Sequence, residues 1–119
     1  MVEIQLKSAG SLVMGDLIPE EILKSIPDLY ETERALNPIC IIKLFTPDST
    51  FAWHLIELSK DDMSTCYGYV DSGFDKELGY FSLKEIESIK GPLGLKVERD
   101  VSFNPTALSL IISNSRREA

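Results

Sequence analysis

Residues 39–70 read ICIIKLFTPDSTFAWHLIELSKDDMSTCYGYV, three apolar runs separated by two short polar breaks. In the first run, residues 39–45, only Lys43 is polar, the pattern of a central strand covered on both faces. Thr46-Pro47-Asp48-Ser49 has the composition of a turn, with Pro47 preset for its second position and Asp48 supplying a side-chain acceptor. Along residues 50–58 the side chains alternate. Phe51, Trp53, Leu55 and Glu57 fall on one face, and Ala52, His54, Ile56 and Leu58 on the other. A second polar break, Ser59-Lys60-Asp61-Asp62, precedes a third strand at residues 64–70. Strands joined by breaks this short predict an antiparallel meander.

Toward the N-terminus, Asp16 is placed to cap a helix with Pro19 in its first turn. Glu20 and Glu21 suit its positive end, Lys24 its last turn, and Ile22, Leu23 and Ile26 its buried face. Pro27 ends it, and residues 28–38 form a connection broken at Asn37-Pro38. Val2, Ile4 and Leu6 alternate with polar residues, as in a short strand or extended arm at residues 1–15.

Toward the C-terminus, a loop at residues 71–77 leads to a short strand and then a helix within residues 78–91. Ser82 and Glu85 have capping-box spacing, Leu83, Ile86 and Ile89 share a face, and Gly91-Pro92 stops the helix. Residues 95–103 read as a last strand, with Arg99 interrupting the face of Leu95, Val97, Val101 and Phe103. Asn104 and Pro105 open a final helix with Leu108, Ile111 and Ile112 as its stripe, and the polar tail from Ser113 is expected to fray. The sum is a single α+β domain over residues 1–119. Its antiparallel sheet of about five strands is open or curled toward a barrel, with two or three short helices on one side or end.

The charge balance, 19 acidic against 12 basic residues, gives a net charge of -7. That opposes direct DNA or RNA binding, which needs clustered Lys and Arg. A hydrophobic fraction of 44% excludes a disordered acidic tail. The N-terminus lacks the pattern of a signal peptide, and no apolar run approaches the roughly 20 residues of a membrane span, so a soluble, cytoplasmic protein is expected. Cys40 and Cys66 are then expected as reduced, buried thiols, the alternative being a disulfide between neighbours across the sheet.

Little in the chain points to catalysis. The single histidine, His54, has no nucleophile elbow to serve, and with two cysteines it falls short of the roughly four ligands of structural zinc. Gly91-Pro92-Leu93-Gly94 lacks the donors of a phosphate loop. Asp61, Asp62, Asp71, Asp75 and Glu77 form an acidic loop rim without EF-hand spacing. No catalytic residue, metal or cofactor is therefore expected. Two features remain. Glu57 and Arg99 each interrupt an apolar face, which predicts that they meet across the sheet or flank a pocket, unless each reaches solvent at a strand edge. Trp53, Tyr67 and Tyr80 are candidates to line an aromatic groove for a ligand or partner peptide.

Four stretches carry a family resemblance: Asp28-Leu29-Tyr30-Glu31-Thr32-Glu33; Lys43 to Ser49 with Trp53; Gly79-Tyr80-Phe81-Ser82-Leu83 through Glu87; and Gly91 through Glu98-Arg99-Asp100. Their order and spacing resemble the domain-of-unknown-function family 2958, small acidic proteins of plasmids, phages and other bacterial mobile elements. The resemblance spans about residues 18–108, and Leu55 to Asp62 departs from the more acidic and aromatic segment it leads one to expect. It implies an accessory protein of a mobile element, travelling with anti-restriction or transfer functions, and carries over no catalytic residue. The candidate binding positions are Tyr30, Glu31, Trp53, Glu57, Tyr67, Tyr80, Glu98, Arg99 and Asp100. Two functions are expected to compete. One is a non-enzymatic protein that binds a basic or nucleic-acid-handling partner and counteracts host defence. The other is a small-ligand domain anchored by the aromatic groove and the Glu57/Arg99 pair.

Overall fold

The computed structural model describes residues 17–118. The expected arm at Val2 to Leu6 and the Asp16 cap lie outside them. The strands are β1 (Ile39–Cys40), β2 (Ile42–Phe45), β3 (Ala52–Leu58), β4 (Thr65–Asp71), β5 (Lys76–Ser82), β6 (Glu98–Arg99) and β7 (Thr106–Ala107). The helices are α1 (Glu20–Ser25), α2 (Leu83–Ile86) and α3 (Leu108–Glu118). Five strands form an open antiparallel sheet in the order β5-β4-β3-β2-β6, and β1 pairs with β7 in a second, two-stranded sheet. The meander over residues 39–70 is present, and β5 extends it by one strand. The sheet does not curl into a barrel, because β5 and β6 remain as its two edges.

The first strand departs from expectation by breaking in two at Ile41. Ile39 and Cys40 leave the main sheet to face Ala107 and Thr106, while the Ile41 N–H still donates to the Leu55 carbonyl at 2.8 Å. The last strand shrinks to Glu98 and Arg99. Just before it, the Asp48 carboxylate accepts from the N–H groups of Leu93 (2.7 Å) and Leu95 (3.4 Å), which holds that segment as a loop. The final helix starts at Leu108 rather than Pro105, since Thr106 and Ala107 are taken by β7. Its cap comes from a distant segment: Asn37 Oδ1 accepts from the Ser109 N–H at 3.0 Å, and the Pro38 carbonyl from the Leu108 N–H at 2.9 Å. Residues 113–118, expected to fray, continue that helix.

The other helices are short. Pro19 sits one position outside α1, where its carbonyl accepts from the N–H groups of Ile22 and Leu23. The Lys60 ammonium donates to the carbonyls of Leu23 and Ile26 at the opposite end, where a cation suits the helix dipole. Ser82 caps α2, its hydroxyl accepting from the Glu85 N–H at 3.2 Å.

The sheet separates two apolar clusters. Directly opposed residues of an antiparallel ladder project to the same face. The pairs Ile42–Leu55, Leu44–Trp53 and Leu58–Cys66 therefore define one face. Ile18, Ile26, Leu83, Ile86 and Val97 pack there. The other face carries Ile56 and Tyr69, covered by Cys40, Leu108 and Ile111. The two cysteines thus lie on opposite sides of the sheet as free thiols, and burial pushes each up to about 12. Among the described residues no helix is long and apolar enough to cross a membrane.

Candidate functional site

Strict alternation along β3 puts Glu57 beside Trp53 and Leu55. The ladder shows otherwise. The register slips between Leu55 and Glu57: Leu55 faces Gly68, Glu57 faces Tyr67 and Leu58 faces Cys66. This β-bulge leaves Ile56 and Glu57 both directed to the second face, and it returns Leu58 to the first. Because Tyr67 in turn faces Tyr80 on β5, Glu57, Tyr67 and Tyr80 form a row across three adjacent strands. The rings of Tyr67 and Tyr80 lie 5.1 Å apart, tilted by 52°.

The bulge brings Glu57 under the connection between α1 and β1. Glu57 is 3% exposed. Its Oε1 accepts from the Tyr30 N–H at 2.9 Å, and its Oε2 accepts from the Thr32 N–H at 3.0 Å and from the Thr32 hydroxyl. Tyr30 adopts a left-handed backbone, φ 71°, which is uncommon for a residue with a bulky side chain. A left-handed residue within a turn lets nearby backbone N–H groups converge on an anion, and here the anion belongs to the protein itself. Further bonds fix the loop to the end of β3. The Pro27 carbonyl accepts from the Leu58 N–H, and Asp28 Oδ1 from the N–H groups of Leu29 and Lys60.

The result is a groove of about 500 Å³ on the second face. Tyr30, Tyr67 and Tyr80 supply its aromatic walls, Glu57 its floor, and Leu36, Leu78 and Leu108 further apolar contact. Partial desolvation beside the groove wall, then the neighbouring Tyr30, raise the Tyr80 phenol above its ordinary value, with Glu57 and Tyr67 acting in the same direction. On the other flank of α3 lies a second groove of about 400 Å³, lined by Lys43, His54, Asp71 and Ser115 among others.

Of the nine candidate positions, four meet in the first groove: Tyr30, Glu57, Tyr67 and Tyr80. Trp53 does not, being buried on the opposite face and stacked on Phe51 at 5.3 Å. Arg99 faces Leu44, and Leu44 faces Trp53, so Arg99 too belongs to the first face. The expected Glu57/Arg99 anchor is therefore absent, because the bulge puts the two residues on opposite sides of the sheet. Glu31 closes its own turn by accepting from the Asp28 N–H at 2.9 Å. Glu98 and Asp100 lie at the β6 end of the sheet, away from the groove. Asp100 accepts from the Ser102 hydroxyl and N–H, and the hydroxyl bond is the main cause that holds its carboxyl below the ordinary value. Not among the nine were Thr32, Glu33, Leu36, Leu78 and Leu108. Thr32 and Glu33 follow Tyr30 and Glu31 in the first family-like stretch, Leu108 belongs to the apolar stripe of the final helix, and Leu78 lies two residues before Tyr80 on the same strand.

The acidic rim also divides. Asp61 and Asp62 occupy the β3–β4 turn and Asp75 the β4–β5 turn, with Asp71 beside it. Those turns lie at opposite ends of the seven-residue β4, about 20 Å apart at the usual rise per residue. Asp62 organises its own turn, accepting from the N–H groups of Ser64 and Thr65 and from the Thr65 hydroxyl. Among the described residues no group of three or more His, Cys, Asp or Glu is placed to hold a metal ion.

Comparison with curated proteins and with solved structures gives no match. The model of one family, described as protein of unknown function (DUF2958), matches residues 17–118, nearly the whole chain. The chain belongs to the DUF2958 family.

Proposed function

We propose that the protein is a non-enzymatic accessory protein of a bacterial mobile element and acts by binding another protein through the tyrosine groove. The observation that carries this is the exposure of its rim. Tyr30 and Tyr80 are 62% and 57% exposed, Leu36 is fully exposed, and all three line one concavity with Leu78. Tyrosines in a preformed concavity are the usual anchors of protein recognition, since they bury large area at little conformational cost. The groove's floor is fixed by the Glu57 bonds, so little ordering is left to the moment of binding. The mobile-element context comes from the family resemblance, and a protein of host defence is the partner that this context favours.

The test is affinity capture from host extract with the native chain and with Tyr80→Leu, at low and high salt. A partner lost with Tyr80→Leu supports the groove. A partner kept by Tyr80→Leu and released by salt puts recognition on the acidic turns instead. A volume of about 500 Å³ also suits a small ligand. Native mass spectrometry of protein purified from its host separates that second reading, because a bound small molecule adds a fixed mass to the chain.

A further inference from the structure

The groove is selective in charge as well as shape. Among the described residues its lining includes two carboxylates, Glu33 and Glu57, and no lysine, arginine or histidine. Glu57 is held by three neutral donors rather than by a cation. Above this carboxylate stand three tyrosines, whose ring faces are electron-rich and attract cations. A divalent metal is a poor fit, because it requires about six oxygen ligands and both Glu57 oxygens already accept hydrogen bonds. A lone small amine would leave the exposed rim at Tyr30, Leu36 and Leu78 uncovered, whereas a long side chain on a protein segment covers it.

Resting on the reading of this groove as the protein-recognition site, we propose that it is a cage for a basic side chain, a lysine or arginine of the partner protein. The aliphatic stem lies along Leu36, Leu78 and Leu108, and the cation sits against Tyr30, Tyr67 and Tyr80 with Glu33 and Glu57 as the counter-charge.

The test is a titration of the full chain with acetyl-arginine methylamide, acetyl-lysine methylamide and the neutral acetyl-norleucine methylamide, followed by NMR of the tyrosine rings. The two basic probes are expected to shift the rings of Tyr30, Tyr67 and Tyr80 and to bind at least about fivefold more tightly than norleucine. Tyr80→Leu, which keeps an apolar surface and removes the ring face, is expected to bring them down to the norleucine level. Glu33→Gln is expected to produce a smaller loss. Norleucine binding as tightly as the basic probes, or no probe reaching the tyrosines, overturns the cage and leaves the groove as an apolar recognition site. Capture of the partner undiminished by Tyr80→Leu overturns the recognition reading itself, whichever probe binds. The two failures are therefore read from different measurements.

Discussion

The two faces of the main sheet are built from the same four long strands, yet they are finished differently. The first face is closed. Leu44, Trp53, Leu55 and Leu58 meet Ile18, Ile26, Leu83 and Ile86, and all are buried. Among the described residues the second is covered in part, by α3, where Leu108 and Ile111 reach Ile56 and Tyr69, by Cys40, and by the connection that bonds Glu57. On either flank of that helix the face stays open, as the tyrosine groove and as the groove beside His54. The difference shows how a small sheet divides its work: one face provides stability, and the other provides surface.

The sharpest way to break this contrast is to truncate one leucine on each face. Leu55 is fully buried and Leu78 is 42% exposed. Leu55→Ala is expected to cost about 2–5 kcal/mol in urea unfolding, through lost transfer energy and the cavity left behind. Leu78→Ala is expected to cost less than about 1 kcal/mol. Equal costs would mean that the second face is as much a core as the first.

The second face has buried groups as well, and pH reports on one of them. His54 is 7% exposed and lies about 6 Å from the rings of Tyr69 and Phe103. Burial, then the nearby Lys43, lowers it to about 4, against smaller opposing effects from the Tyr69 backbone and Asp71. An unfolded chain takes up this proton near pH 6.5, whereas the folded chain refuses it until about pH 4. Stability is then full above pH 6.5. It falls by about 1.4 kcal/mol for each unit of acidification through that window. His54→Gln is expected to flatten the slope between pH 6.5 and 5, above the range where most carboxylates titrate. An unchanged slope would show that this region is wetter than its packing implies.

Between core and groove stands Glu57. Glu57→Gln replaces one accepting oxygen by an NH2 group, which cannot accept from whichever of the Tyr30 and Thr32 N–H groups it faces. A cost of about 1–3 kcal/mol follows from leaving a donor at a buried position without its partner. The loop should loosen before the sheet does, so hydrogen exchange at the Tyr30 and Thr32 amides is expected to rise while that of β3 and β4 stays low. Uniform acceleration across both would make Glu57 part of the core rather than the link between core and groove.

How much of this was legible in the sequence follows the range of the forces involved. The meander could be read because its signals are local: Pro47 and Asp48 in one turn, Asp61 and Asp62 in the next, alternation between. The Ser82 cap was readable for the same reason. The bulge was not, because Ile56 and Glu57 carry no residue-type mark of a register slip, and the slip depends on how β4 meets β3. One shifted residue then moved Glu57 to the other face and dissolved its expected pairing with Arg99. The Asn37 cap on α3 and the division of residues 39–45 between two sheets likewise depend on partners more than 65 positions away in the chain.

The smallest expected effect is also the one that most sharpens the contrast. Tyr80 is more than half exposed on an edge strand, and its ring meets Tyr67 rather than a closed core. Tyr80→Leu is therefore expected to change unfolding stability by no more than about 0.5 kcal/mol, the usual range for a surface position. A large aromatic residue that adds almost nothing to folding has been left at the surface for another reason, because exposed apolar area on a sheet edge invites unwanted association. If Tyr80→Leu instead unfolds the chain as readily as Leu55→Ala, the tyrosine row is structural cladding. If it leaves folding untouched and abolishes partner capture, stability and recognition have been assigned to opposite faces of one sheet, with the bulge at Ile56 and Glu57 as the feature that joins them.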